Sequence, residues 1–273
     1  MMDFLKAVLF GIVEGVTEWL PVSSTGHLIL LDEFIRLGVS EAFYEMFQVV
    51  IQLGAILAVV VLFWRKLNPF SGKKSASERT DTWNLWFKVI VAVLPSAVLG
   101  LLLDDWMDAH LYHYQVVSVM LIVYGVAFLL VEKGEKPAKI GDVRQIDYST
   151  ALLIGTFQCL SLIPGTSRSG ATILGALLLG VSRPAGAEFS FFLAIPTMVG
   201  ASGLKLVKFL LEGNLPTSNE LLILIVGCVV SFAVSLLVIK TLMDYVRRHS
   251  FAIFGVYRIL LGGAVLLYFA LCK

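Results

Sequence analysis

Residues 14–27 read Glu14-Gly-Val-Thr-Glu-Trp-Leu-Pro-Val-Ser-Ser-Thr-Gly-His27 and combine two carboxylates, several hydroxyls and an imidazole. A second polar stretch, residues 158–172, reads Gln158-Cys-Leu-Ser-Leu-Ile-Pro-Gly-Thr-Ser-Arg-Ser-Gly-Ala-Thr172. The rest of the chain is so apolar that both stretches require a reason, because ionisable groups are costly in lipid. We expect the two stretches to meet within a membrane and to form one site.

The composition is that of an integral membrane protein. Hydrophobic residues occupy 58% of the 273 positions and charged residues only 15%, whereas soluble domains carry about 25% charged residues. Several stretches are long and apolar enough to be membrane-spanning helices, which predicts an all-α polytopic fold. The net charge of +1 and the lack of a long basic run argue against a nucleic-acid partner. Cys159, Cys228 and Cys272 lack metal-ligand spacing, so we expect inert thiols.

Two segments look like re-entrant helical hairpins. Residues 4–20 are apolar but interrupted, residues 21–24 form a polar turn, and residues 25–37 form a second short helix. Residues 148–163 and 169–181 repeat this pattern around a second turn. Such irregular backbone is tolerated at membrane depth only where protein or a wet cavity surrounds it. Six full spans complete the prediction, at residues 44–64, 84–103, 115–131, 186–210, 219–242 and 251–271.

Loop charges predict the orientation. Basic residues cluster at 65–79 and 133–144, whereas Asp104, Asp105 and Asp108 follow the second span. Because short basic loops stay in the cytoplasm, the first hairpin is expected to enter from outside and the second from inside. The halves also match at an offset of 144 residues, with the pairs Gly11/Gly155, Glu14/Gln158, Ser23/Ser167, Thr25/Ser169 and Gly26/Gly170. We therefore predict one membrane domain, residues 1–273, built as an inverted-topology repeat of about 1–131 and about 148–273.

Glu14 and Glu18 are the first candidate site residues. They lie four residues apart and share one helix face. Two buried carboxylates repel, so a divalent cation or a cationic side chain is expected between them. Mg²⁺ or Ca²⁺ suits, because both take oxygen ligands and share them with phosphate. The alternative is a polar seam that faces interfacial water.

The start of the second helix of the first hairpin is the next candidate. Ser23, Ser24 and Thr25 are ordinary helix N-caps when taken one at a time. With Gly26, however, they open a helix whose free N–H groups suit phosphate binding. His27 lies in the first helical turn and is a candidate general base or acid for Ser24.

Arg168 is the strongest single signal, since an arginine inside an apolar hairpin needs an anion. Its planar fork can bind a phosphate or the two glutamates in two places. The alternative is a structural Arg–Glu pair, which does not explain the surrounding small and hydroxyl residues Ser167, Ser169, Gly170 and Thr172. Glu188 and Arg258 are weaker candidates for partners of the site.

These motifs closely resemble the undecaprenyl-diphosphate phosphatase family of the bacitracin-resistance type, over nearly the whole chain. The resemblance implies conversion of undecaprenyl diphosphate to the monophosphate at the outer face of a bacterial plasma membrane. That reaction recycles the lipid carrier for cell-wall synthesis and confers bacitracin resistance. The resemblance further implies a polyprenyl diphosphate substrate and a divalent cation, and leaves a homodimer open. It implicates Glu14, Glu18, Ser24, His27, Ser167, Arg168, Ser169 and Thr172.

Under that interpretation, Arg168 and the helix N-termini hold the diphosphate, and the cation binds Glu14 and Glu18. Either Ser24, activated by His27, attacks the terminal phosphorus, or His27 activates a water. Two rivals stay open at this point. Inverted repeats with broken helices are typical of transporters, so a lipid-phosphate or anion carrier is the alternative. An acid-phosphatase-like lipid phosphatase is disfavoured, because no histidine here is followed four residues later by aspartate.

Overall fold

The architecture comes from a computed structural model, which describes residues 2–111, 113–134 and 137–272. Of Asp104, Asp105, Asp108, Ala109 and Cys272 only the backbone is described, and Lys136 in the second basic loop lies outside the described residues. Across these ranges the regular secondary structure is helical, apart from one isolated bridge between Ile140 and Val181. The helices are α1 Met2–Thr17, α2 Ser24–Phe34, α3 Glu41–Val50, α4 Gln52–Leu62, α5 Trp64–Leu67, α6 Ala76–Leu111, α7 Tyr114–Lys133, α8 Tyr148–Cys159, α9 Arg168–Leu178, α10 Arg183–Leu211, α11 Ser218–Val246 and α12 Ala252–Cys272.

The chain is a multi-pass membrane protein. Among the described residues, six helical segments are long and apolar enough to cross a bilayer. They are Glu41–Leu62, Ala76–Leu103, Tyr114–Lys133, Arg183–Leu211, Ser218–Val246 and Ala252–Leu271. The predicted all-α fold with six spans is therefore confirmed.

The remaining short helices form two pairs. In the first helix pair, α1 ends at Thr17, before Pro21, and α2 begins at Ser24. In the second helix pair, α8 ends at Cys159, a 3₁₀ turn covers Leu160–Leu162, and α9 begins at Arg168. Each turn contains a proline, which cannot continue a helix because it lacks an N–H donor.

Small residues allow these short helices to pack closely on long ones. α1 lies along α11, where a Cβ added at Gly11 or Gly15 would come within 2.8 Å of a backbone oxygen of α11. α8 lies along α6, with Gly155 pressed against the backbone of Ala92. α7 and α12 form a third close pair, through Gly125 and Gly255. In lipid, where apolar surfaces gain little by meeting each other, such close packing is a main source of helix association.

The predicted spans 44–64 and 84–103 correspond to Glu41–Leu62 and Ala76–Leu103. Ile51 separates α3 from α4, but its backbone keeps helical angles, with φ −59° and ψ −27°. Beyond the second span, α6 continues through Asp104, Asp105 and Asp108 to Leu111. Acidic side chains do not stop a helix, so the charge change marked a membrane boundary rather than a helix end.

Aromatic side chains of α10 pack against the turn after α1 and against Phe63. Trp19, just after α1, is fully buried and meets the ring of Phe191 of α10 edge-on at 5.2 Å. Phe63 and Phe192 make a similar edge contact at 5.2 Å. Edge-to-face rings pack densely and fix each other's orientation. The turn after α1 is therefore held rigidly against α10.

Candidate active site

The carboxylate of Glu18 joins the two helix pairs. The hydroxyl of Ser24 donates to Glu18 Oε2 at 2.5 Å, and Nη2 of Arg168 donates to Glu18 Oε1 at 3.1 Å. Arg168 and Glu18 are 150 residues apart in the chain, and both side chains are at least nine-tenths buried. Ser24 and Arg168 are each the first residue of their helix, so the two helix starts converge on one carboxylate.

Arg168 is held on several sides. Its Nη1 donates to the carbonyl oxygen of Ser190 at 2.7 Å, and its guanidinium lies 5.8 Å from the centre of the Trp19 ring. A cation above an indole face is attracted to it and kept in place. The Nε–H of Arg168 is buried and has no hydrogen-bond partner among the described residues. The side chain is therefore pre-positioned and keeps one free donor.

Hydroxyl groups complete the second helix start. Ser169 Oγ lies 3.0 Å and 3.1 Å from the carbonyl oxygens of Glu18 and Leu20, which joins α9 to the turn after α1. Thr172 Oγ1 lies 2.7 Å from Ser190 Oγ. Ser190 was not singled out in the sequence, because a lone serine in an apolar span carries no signal of its own.

Ser23 and Ser167 cap α2 and α9 in the same way. The Oγ of Ser23 accepts from the N–H of Gly26 at 3.2 Å, and the Oγ of Ser167 accepts from the N–H of Gly170 at 3.2 Å. Their φ angles are 74° and 73°, a left-handed region that side chains other than glycine rarely adopt. Non-glycine strain of this kind costs about 1–3 kcal/mol and is concentrated at functional sites. Thr25 is half-buried in the first turn of α2.

Glu14 is the residue best suited to hold a cation. It is fully buried, and neither of its carboxylate oxygens has a hydrogen-bond partner among the described residues. A buried carboxylate without donors is costly unless a cation compensates it. Within the described ranges no cluster of three or more His, Cys, Asp or Glu side chains is present. Mg²⁺ commonly binds one or two carboxylates and completes its shell with phosphate and water, so the donor set fits.

His27 lies beside Ser23 and Tyr257. Its Nδ1 is 2.7 Å from the carbonyl oxygen of Ser23, and its Nε2 is 2.7 Å from the hydroxyl of Tyr257. The two rings are stacked, with centroids 5.7 Å apart and an interplanar angle of 3°. Because a carbonyl only accepts, Nδ1 carries the proton and Nε2 accepts from Tyr257. No hydrogen bond joins His27 to Ser24 in the described contacts.

Of the two weaker candidates, Arg258 contacts the site and Glu188 does not. Arg258 is fully buried and donates to the carbonyl oxygens of Pro21, Gly165 and Thr166 at 2.7–2.9 Å, so it ties both turns together. Glu188 does not reach the site: it pairs with Lys66 at 2.6 Å. The sequence placed Glu188 in an apolar span but did not reveal that Lys66 lies opposite it.

Gln158 occupies the position that corresponds to Glu14 in the second helix pair. Its amide nitrogen donates to Ser96 Oγ at 2.6 Å and lies 3.2 Å from Thr197 Oγ1. The amide nitrogen of Gln158 therefore contacts α6 and α10, whereas its Oε1, like both oxygens of Glu14, has no hydrogen-bond partner among the described residues. The acidic half of the site belongs to the first helix pair alone.

Comparison with known proteins shows the family of the chain. The chain is 57% identical over 265 residues to an undecaprenyl-diphosphatase of Enterococcus faecalis strain V583, covering 96% of each chain. It is 58% identical over 273 residues to an undecaprenyl-diphosphatase of Limosilactobacillus fermentum, covering 99% of each. An undecaprenyl-diphosphatase of Streptococcus thermophilus is 55% identical over 270 residues, covering 98% of this chain and 94% of that protein. The family described as bacitracin resistance protein BacA matches residues 7–264. The chain belongs to the bacitracin resistance protein BacA family.

Proposed function

We propose that this protein hydrolyses undecaprenyl diphosphate to undecaprenyl phosphate and inorganic phosphate. The observation that carries the proposal is the buried contact of Ser24 and Arg168 with the two oxygens of Glu18. A hydroxyl, a general base and a guanidinium are the groups that phosphoryl transfer requires. The names of the relatives, all undecaprenyl-diphosphatases, supply the substrate class.

In the proposed first step, Ser24 Oγ attacks the terminal phosphorus and its proton passes to Glu18. The bond from that phosphorus to the bridging oxygen breaks, and undecaprenyl phosphate leaves with the electron pair. The 2.5 Å contact from Ser24 to Glu18 supports Glu18, rather than His27, as the acceptor of this proton. Arg168 loses a carboxylate partner as Glu18 is protonated, which leaves its charge available to the transferring phosphoryl group.

In the second step, a water attacks the phosphoserine, the bond from phosphorus to Ser24 Oγ breaks, and Oγ takes its proton back from Glu18 as inorganic phosphate is released. His27 is the proposed base for this water, acting through Nε2. The hydrogen bond from Nδ1 to the carbonyl of Ser23 favours the tautomer with an unprotonated Nε2, where the water would replace the hydroxyl of Tyr257 as the group that donates to it. Direct attack by a water that His27 activates is the other scheme, and the Ser24→Ala variant separates the two.

Binding of the diphosphate is assigned to the two helix starts. Ser23, Ser24, Thr25 and Gly26 begin α2, and Ser167, Arg168, Ser169 and Gly170 begin α9, with Thr172 one turn on. The first N–H groups of a helix and its dipole both favour a phosphate. Glu14 and Glu18 would hold the divalent cation, Mg²⁺ or Ca²⁺, which when bound neutralises charge on the phosphate oxygens.

One experiment tests the proposal directly. Purified protein in detergent is given undecaprenyl diphosphate, and inorganic phosphate is measured with added Mg²⁺ or Ca²⁺ and again with a chelator. Release that depends on the cation supports the proposal. The absence of release under all conditions contradicts it.

We further propose that the two helix pairs are re-entrant and belong to an inverted repeat of about 1–131 and about 148–273. Three observations support this. The helix order of the halves matches once α3 and α4 are counted as one span and α5 is left out. Ser23 and Ser167 share a positive φ, and α1 packs on α11 as α8 packs on α6. Loop charges support a site open to the outer side of a bacterial plasma membrane. A homodimer stays a prediction.

The transporter alternative is not favoured. It was based on the repeat architecture alone, whereas the relatives are named for a phosphatase activity. Phosphate release in detergent micelles, where no gradient exists, is the discriminating result.

A further inference from the structure

We propose that Ser190 is a positioning residue, which holds Arg168 so that its free Nε–H faces the diphosphate. Ser190 lies on α10, is fully buried and carries no charge. Its side-chain partners among the described residues are Arg168 and Thr172, both in the first half of α9. The inference rests on the proposed function, because it concerns the guanidinium that would face the transferring phosphoryl group.

Both terminal nitrogens of the guanidinium are occupied. Nη1 donates to the carbonyl oxygen of Ser190 at 2.7 Å and lies 3.3 Å from its Oγ, while Nη2 donates to Glu18 Oε1 at 3.1 Å. A carbonyl oxygen has two lone pairs, so that of Ser190 can accept from Arg168 without leaving the hydrogen bonding of its helix. Because the guanidinium is planar and rigid, fixing its two ends also fixes the direction of its third donor, Nε–H.

The Nε–H of Arg168 is the donor left for a ligand. It is buried and has no hydrogen-bond partner in the parts of the chain that the structure describes. An unpaired buried donor costs free energy, so an acceptor is expected beside it during the reaction. Glu18 already accepts through Nη2, and the oxygens of Glu14 make no hydrogen bond to Arg168. We assign the acceptor to a phosphate oxygen of the substrate.

The hydroxyl of Ser190 connects the side chain of Arg168 to its own backbone. Thr172 Oγ1 lies 2.9 Å from the carbonyl oxygen of Arg168 and 2.7 Å from Ser190 Oγ. Since a guanidinium only donates, Ser190 gives its proton to Thr172 Oγ1, and Thr172 gives its own to the Arg168 carbonyl. Nη1 of Arg168, near Ser190 Oγ, closes the loop. Such a closed network of hydrogen bonds resists rotation of the guanidinium.

The same loop explains the role of Thr172. Its side chain is fully buried, and its one proton is used within α9, by the carbonyl oxygens of Arg168 and Ser169. No donor of Thr172 is left for a phosphate. Thr172 therefore influences the bound diphosphate through Ser190 and Arg168 rather than by direct contact.

The residue after Ser190 holds the guanidinium from a different side. Phe191 meets the ring of Trp19 edge-on at 5.2 Å, and Trp19 in turn lies 5.8 Å from the guanidinium of Arg168. Ser190 and Phe191 are neighbours on α10, so a single turn of that helix determines both the hydrogen bonds and the aromatic surface that Arg168 contacts.

The test is a double-mutant cycle between Ser190→Ala and Thr172→Val, measured as phosphate release from undecaprenyl diphosphate by the full chain in detergent. Valine has the shape of threonine without its hydroxyl, so either change opens the loop and keeps Arg168. We expect each to lower kcat by about tenfold, since a small misplacement of a positioned group slows a reaction. The double variant should be no slower than the slower single variant, because residues of one network are not additive. Thr172→Ser keeps the hydroxyl and should lose less activity than Thr172→Val.

The matched control is Ser202→Ala, which removes a buried serine hydroxyl from the same helix. Its Oγ bonds the carbonyl oxygen of Val49 at 3.1 Å, away from the site. The control should keep the wild-type kcat. Thermal unfolding of each variant sets an assay temperature at which all are folded, so lost stability alone does not lower kcat.

Four results would overturn the inference while phosphate release by the wild-type protein stands. They are a wild-type kcat in Ser190→Ala, the same loss in Ser202→Ala, equal losses in Thr172→Ser and Thr172→Val, and losses that multiply in the double variant. Multiplied losses would mean that Ser190 and Thr172 act separately. The absence of release by the wild-type protein would overturn the proposed function, and this inference with it.

Discussion

The first and second helix pairs begin their second helices in the same way and carry different chemistry there. In both, a serine with φ near 74° caps the helix through the N–H of a glycine three residues later. The next residue is Ser24 in the first pair and Arg168 in the second, and both contact Glu18. Glu14 in one pair is Gln158 in the other. One backbone design therefore holds the acids and the hydroxyl in one half and the guanidinium in the other.

This division of labour has a physical reason. Two acidic copies would place several carboxylates at one buried point, and two arginine copies would repel each other in the same way. Unlike copies bring opposite charges together instead. The comparison predicts that site residues are not interchangeable between the pairs, whereas the caps are.

The largest effect is expected for Arg168→Ala. Loss of the guanidinium removes the positive charge proposed to face the transferring phosphoryl group, which lowers kcat by about 10³–10⁵-fold. Arg168→Lys should not restore it, because a lysine lacks the planar fork. The measurement is phosphate release by purified protein, and activity within tenfold of wild type would break the assignment.

Arg168→Ala also leaves Glu18 buried without its partner, so stability needs a separate check. The double variant Arg168→Ala/Glu18→Gln removes both charges and should unfold nearer to the wild-type temperature than Arg168→Ala does. Its activity should stay lost. Recovery of activity together with stability would mean that the pair is structural only.

The second effect concerns Ser24, the counterpart of Arg168. If Ser24 is the nucleophile, Ser24→Ala lowers kcat by about 10³-fold or more, because the covalent route is closed. Thr25→Ala, one residue on, should stay within about tenfold. A similarly small loss in Ser24→Ala would assign the attack to water and leave Ser24 a binding role.

The third prediction contrasts Glu14 with Gln158. Glu14→Gln should raise the cation concentration needed for half-maximal activity by about 10–100-fold, since a proposed ligand becomes a weak one. Gln158→Ala should leave that concentration unchanged, even if it lowers stability. Titration with Ca²⁺, followed by both activity and thermal unfolding, measures the shift. The same shift in both variants would mean that Glu14 acts through the fold.

A smaller effect is expected for Tyr257→Phe, which keeps the ring stacked on His27 but removes one hydrogen bond. One such bond contributes up to about 1.5 kcal/mol, so kcat should change by no more than about tenfold. Because Tyr257 contacts the nitrogen proposed to accept a proton, the pH profile of kcat should shift. An unshifted profile with unchanged kcat would remove His27 Nε2 from the mechanism.

The smallest effect tests the equivalence of the two caps. Ser23→Ala and Ser167→Ala should each lower the free energy of unfolding by about 1 kcal/mol through loss of the cap. The glycine variants should lose less, because glycine adopts positive φ without strain. Chemical unfolding in detergent compares the four proteins. A marked difference between positions 23 and 167 would contradict the equivalence of the turns.

Much of this arrangement could be predicted from the sequence. An apolar chain contains few buried charges, so the sequence offered few possible ion-pair partners for Arg168. Its contact with Glu18, 150 residues away, was predicted for that reason and because the two turns have matching sequences. The local turn at Ile51, which separates α3 from α4 within one span, could not be predicted, because Val50, Ile51 and Gln52 carry no signal that ends a helix.

Other features depended on three-dimensional neighbours that leave no local signal. Ser190 and Tyr257 reach the site from α10 and α12, and each is one polar residue in a long apolar helix. The sequence suggested Glu188 as a partner of the site because it does not show that Glu188 lies beside Lys66. The contact of Ser24 with Glu18 rather than His27, and the positive φ of the preceding Ser23, also leave no signal in the composition.

The position of Arg258 in the chain has a consequence for the order in which the site is assembled during synthesis. Its guanidinium holds the carbonyl oxygens of both turns, yet it lies on α12, near the end of the described chain. During synthesis, residue 258 therefore reaches the bilayer after both turns, which until then have only the contacts of Arg168 and Ser169 to join them. We expect the final spacing between the two turns to be fixed only once α12 has inserted.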